Sequence, residues 1–153
     1  MADDDSPDSA SDFAACAPTS ASYLAAAVFV FSGVAFLFLG AQTYAMTRSS
    51  TLTLSHVAVM LASGAALVFL GAKQLSVRAW VSVAGAAVAV LTGFFASWWL
   101  YLSVRHGLFS FLATGLPFLC AASATLSLLA IRTARRADAA RRRMLARGET
   151  FGV

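Results

Sequence analysis

The sequence predicts an all-α, polytopic membrane protein, a four-transmembrane-helix antiparallel bundle, on three observations. Hydrophobic residues make up 59% of the 153-residue chain and charged residues only 12%, where a soluble domain carries about a quarter charged residues to cover its surface. Several uninterrupted apolar stretches in the middle each have the length of about 20 residues that a bilayer crossing needs. The charges collect at the ends, with Asp3, Asp4, Asp5, Asp8 and Asp12 at the start and Arg132, Arg135, Arg136, Arg141, Arg142, Arg143 and Arg147 near the finish. Despite the net charge of +4, that distribution fits a membrane protein with a basic cytoplasmic side and gives no reason to expect a nucleic-acid partner.

Residues 1–20 are rich in Asp, Ser, Ala and Pro and read as a disordered acidic tail. The tail lacks the short positive start of a secretory signal, so the first apolar segment is expected to stay as an anchor. Four segments follow within a transmembrane domain of residues 21–132: Tyr23 to Met46, Leu52 to Ala72, Ala79 to Leu102 and Leu108 to Ile131. Their connections are short: Thr47 to Thr51 with Arg48, Lys73 to Arg78, and Val104 to Gly107 with Arg105 and His106. Short loops force neighbouring helices to run antiparallel. Pro117 removes one backbone bond from the fourth segment and predicts a kink near Ala113. Residues 133–153 form a basic tail that can continue the fourth helix, with Asp138 and Arg142 paired one turn apart.

Basic residues set the orientation. With both termini cytoplasmic, Lys73, Arg78 and the seven terminal arginines lie inside, against Arg48 and Arg105 outside. Acidic residues contribute little to that rule. The aromatic residues agree, with Tyr23 and Trp80 at one interface and Tyr44, Trp98, Trp99 and Tyr101 at the other.

A ten-residue stretch from Ser32 to Ala41 resembles the stretch from Ser63 to Ala72. Gly33 and Gly40 in the first copy, and Gly64 and Gly71 in the second, are spaced by about two turns and share a helix face. Segment three carries a comparable stripe of Ser82, Ala86, Ala89, Gly93 and Ser97. Small residues let backbones approach closely, which drives association where the solvent is as apolar as the side chains. Chance similarity between apolar helices with shared packing needs explains the repeat more simply than ancestral duplication.

His56 is the one basic side chain clearly inside an apolar segment, about one turn from its outer end. Gln42, Ser97 and Thr114 lie at similar depth on the other segments, so the four are candidates for a polar layer that holds a small ligand or ion. The plainer alternative is a shallow His bonded to a neighbour or to interfacial water. Arg135, Arg136, Arg141, Arg142 and Arg143 are candidates for contact with anionic lipid or an acidic partner.

No Asp or Glu occurs between Asp12 and Asp138, and Cys16 and Cys120 form no paired motif. The usual midplane carboxylate for gradient-coupled transport, the paired thiols of redox chemistry and a metal-ligand cluster are therefore all missing from the pattern. Isolated Ser and Thr within the segments can bond to their own backbone four residues back and need no ligand. No catalytic constellation and no cofactor motif stands out. The expected function is non-catalytic: an accessory, assembly or scaffolding subunit in a lipid bilayer, packed against other membrane proteins or against itself. A small oligomeric transporter or channel is the alternative.

Overall fold

A backbone inside lipid has only itself to bond with, so each apolar segment forms a helix. The computed structural model describes residues 6–46, 51–105 and 111–146, with side chains described over 11–45, 54–105 and 114–146. Its helices are α1 (Ser6–Cys16), α2 (Ser20–Met46), α3 (Thr51–Gln74), α4 (Ala79–Arg105) and α5 (Phe111–Ala146). No strand occurs among the described residues. Four of the helical stretches are long and apolar enough to cross a membrane. The first three expected segments fall inside α2, α3 and α4 and the fourth overlaps α5 from Phe111 onward, while Arg48, His106, Gly107, Leu108 and Arg147 lie outside the described residues.

Local chemistry sets the helix ends. Pro18 biases Ala17 away from helical backbone and separates α1 from α2. Thr19 then caps α2: its Oγ1 accepts from the Ser22 N–H at 3.3 Å and its own N–H donates to Ser22 Oγ at 3.4 Å, a reciprocal cap. After α3, the Ser76 N–H donates to the Lys73 carbonyl at 2.9 Å and the Val77 N–H to the Gln74 carbonyl at 3.2 Å. Val77 takes a φ of 47°, a position that usually falls to Gly and costs an L-residue roughly 1–2 kcal/mol. Val77 stays there because it is buried against Ala79, Ala134 and Ala137.

The helices pack α2 on α3 and α4 on α5 most extensively, with further contacts of α2 on α5, α3 on α4 and α1 on α5. Gln74 of α3 also reaches Ser127 of α5, donating from Nε2 to Oγ at 3.3 Å. The α2–α3 seam is the tightest. A Cβ on Gly33 would lie 2.6 Å from the Gly64 carbonyl oxygen, and one on Gly64 would lie 2.8 Å from that of Gly33. The contacts recur with the two helices exchanged. Gly33 meets Val68 while Gly64 meets Leu37; Gly40 meets Met60 and Leu61 while Gly71 meets Phe29 and Val30. Each residue is answered by the one in the corresponding place of the other copy, so the repeat builds a local two-fold seam.

Burial is inverted relative to a water-soluble protein. Ser32, Ser82, Ser123 and Ser127 are buried, whereas Phe94 and Phe118 are 74% and 73% exposed. Phe29, Phe36, Met60, Leu67 and Leu116 fill the remaining interior. Large apolar side chains gain nothing by leaving lipid, so small residues take the inside, where helices must approach.

Two expectations are corrected. The stretch read as a disordered tail contains helix α1, which packs on α5. Its composition alone cannot form a core, but the end of α5 supplies one ready-made. Asp12, only 4% exposed, meets Arg143 at 3.0 Å, and the Cys16 thiol donates to the Ala137 carbonyl at 3.6 Å. Asp138 pairs with Arg141 at 3.1 Å rather than with Arg142, because Arg141 faces the turn between α3 and α4. Through Pro117 the helix continues without interruption.

Candidate functional site

Three buried hydroxyls bond to carbonyls of their own helices. Ser32 Oγ donates to the Val28 carbonyl at 2.7 Å, Ser123 to Leu119 at 2.9 Å and Thr92 to Val88 at 2.8 Å. Weaker contacts then join the helices: Ser32 Oγ and Ser123 Oγ at 3.4 Å between α2 and α5, and Gln74 Nε2 donating to Ser127 Oγ at 3.3 Å between α3 and α5. Gly85 of α4 closes this junction. A Cβ there would meet Gln74 Nε2 at 3.0 Å, with Phe29 Cζ and Ser127 Oγ both at 3.1 Å. All four long helices therefore converge on one glycine. The arrangement ties helices together through neutral groups and places no carboxylate or amine in the interior.

The four residues proposed as a polar layer differ in burial. Gln42 and Ser97 face outward, and Ser97 Oγ donates to the Gly93 carbonyl at 2.9 Å. His56 is half-buried with its ring 6.2 Å from that of Phe95, and Thr114 is half-buried on α5. Equal depth along a helix says nothing of direction around it.

The packing positions divide between two seams. Gly33, Gly40, Gly64 and Gly71 face the α2–α3 partner helix within the chain. Ala86 and Ala89 are buried on α4. Gly93 is looser, since a Cβ there would meet only Cys120 Cβ, at 3.2 Å. Beside it a cleft of about 250 Å³ opens outward between α4 and α5, lined by Ala89, Gly93, Ser97, Pro117, Cys120 and Ala121 among others.

At the basic end Arg141 and Asp138 brace the α3–α4 turn. Arg141 donates to the Ser76 carbonyl at 2.6 Å and the Val77 carbonyl at 3.1 Å, satisfying acceptors that the end of α3 leaves open. Asp138 Oδ2 accepts the Ala79 N–H at 2.9 Å and so caps α4, whose own preceding residue, Arg78, has no capping oxygen. Arg141 and Arg143 thus act within the fold, whereas Arg135, Arg136 and Arg142 are exposed and make no ion pair among the described residues. The sequence reading missed Gly85 and the cap from Asp138. A lone carboxylate within an arginine run was the available signal for the second.

Among the described residues no group of three His, Cys, Asp or Glu side chains gathers in metal-binding geometry. Compared with known proteins, the chain matches no protein family, no curated protein and no solved structure.

Proposed function

We propose that this chain is a non-catalytic multi-pass membrane protein, an accessory, assembly or scaffolding subunit that packs against other membrane helices. In this reading α2 to α5 form an antiparallel bundle and both termini are cytoplasmic. The excess of basic residues beside α3, α4 and the end of α5 supports that orientation, and the pairing of early α2 residues with late α3 residues supports the antiparallel order. One observation carries the function: the buried hydroxyls of Ser32, Thr92 and Ser123 bond to their own helices, while the α4–α5 seam leaves a small-residue cleft open to the outside. Hydroxyls bonded in this way need no solute, and a backbone can approach at the cleft.

Mild-detergent purification with the native membrane tests the assignment. Gly93→Leu is expected to lose the co-purifying membrane protein while the variant itself stays folded, because its side chain would fill the cleft. Undiminished co-purification sinks the docking face.

The buried hydroxyls of Ser32, Ser82, Ser123 and Ser127 favour a second reading, a small oligomeric transporter or channel. Purified protein in liposomes is expected to carry no flux under an imposed pH gradient. Robust flux abolished by His56→Ala or Ser123→Ala would put the transporter first.

A further inference from the structure

We propose that the outward arginine stripe of α5 is a binding surface for the phosphate headgroups of anionic phospholipids. At about 100° per residue, Phe118, Thr125, Leu128, Leu129, Arg132, Arg135 and Arg136 share one strip of the helix. Every one of them is exposed, with Phe118 at 73% and Leu129 at 69%. One face therefore changes from bulky apolar to basic within a single turn, between Leu129 and Arg132.

In a bilayer that change marks the boundary between acyl chains and headgroups. From Arg132 to Arg136 the helix rises only about 6 Å, within the headgroup layer of roughly 5–8 Å on each side of the hydrocarbon. Trp80, on the first turn of α4 that Asp138 caps, is 53% exposed at the same end, as an interfacial anchor should be. The three guanidinium groups share the face that presents Leu128 and Leu129 to acyl chains, so their surroundings are headgroups of the same lipids. Planar guanidinium groups bind phosphate oxygens with two parallel hydrogen bonds.

Next to the stripe, Ala79, Arg135, Asp138, Ala139 and Arg142 line a cleft of about 240 Å³. Asp138 already accepts from Arg141 and the Ala79 N–H, which leaves the Arg135 and Arg142 guanidinium groups to attract an anion. Arg141 and Arg143 already have partners within the chain, in the α3–α4 turn and in Asp12. Arg132 joins the surface. An acidic protein segment would satisfy the same charges, but it would not account for the unbroken continuation of the stripe into the lipid-facing strip of Leu128 and Leu129.

The inference rests on the chain being membrane-embedded and not on its having a protein partner. The full chain is placed in phosphatidylcholine bilayers with a minor fraction of phosphatidylglycerol, and relative association of the two lipids is measured with spin-labelled lipid and by lipids retained in native mass spectrometry. Wild type is expected to prefer phosphatidylglycerol, less so as salt is raised. With each arginine near the surface worth about fivefold, R132Q/R135Q/R136Q should weaken that preference on the order of a hundredfold, with an unchanged melting temperature. Should the triple variant fail to fold, the salt titration of wild type decides instead: a preference insensitive to ionic strength overturns the proposal. Equal association of both lipids with wild type overturns it too, as does a folded triple variant that keeps the preference. Capture of an acidic peptide without lipid preference would assign the stripe to a protein.

Discussion

The α2–α3 and α4–α5 seams are built from similar small residues, yet one closes completely and the other leaves a cleft. On the first, Gly33 and Gly64 lie opposite each other, and each backbone occupies the space that the partner's Cβ would need. On the second, Gly93 faces Cys120, whose side chain holds the helices apart. Where both facing positions are glycine, the two backbones meet directly. Both helices contribute to the distance, and a stripe on one of them is half of a seam.

The largest effect that would break this comparison is expected at its tightest point. Gly33→Ala or Gly64→Ala drives a methyl group into backbone atoms of the other helix and should cost about 3 kcal/mol, read as loss of folded monomer in a detergent or lipid unfolding titration. Wild-type stability in either variant would mean that the seam is looser than its contacts. Next comes Asp138→Ala, which removes the cap of α4 and a partner of Arg141. A loss of about 1–2 kcal/mol is expected, with faster amide exchange at Ala79; unchanged exchange would show that water caps α4 equally well.

Gly85→Ala should cost about 1 kcal/mol, because its new methyl meets the ends of the Gln74, Phe29 and Ser127 side chains rather than backbone. A loss as large as that of Gly33→Ala would extend the closed seam to all four helices. The smallest effect belongs to Gly93→Ala. Displacement of Cys120 and the helix preference of Ala, worth up to about 1 kcal/mol, should nearly cancel, leaving the midpoint close to wild type. A large loss there would erase the distinction between the seams.

The repeat shows how far the one-dimensional pattern reaches. That Gly33 and Gly40 share a face, and Gly64 and Gly71 another, follows from helical spacing; that those two faces meet each other does not. The same gap separates the polar residues. Spacing along the chain groups His56, Gln42, Ser97 and Thr114 by depth, but it does not foretell that Ser32 touches Ser123 and Gln74 touches Ser127. At the basic end, the arginine run is plain in the sequence, but its division into bracing and exposed members is not.

The sequence by itself determined the helical class, the four stretches long and apolar enough to cross a membrane, the basic end and the glycine faces. Each of these depends on residue type and on spacing along one helix. Tertiary structure decided which faces meet, that Asp12 anchors α1 on Arg143, that Asp138 caps α4, and that Val77 is held in left-handed backbone. Those outcomes require rotation about a helix axis to be fixed by a neighbour. In lipid, where every apolar face is equally well solvated, hydrophobic patterning leaves that rotation open, and only close packing and polar pairing between helices choose it.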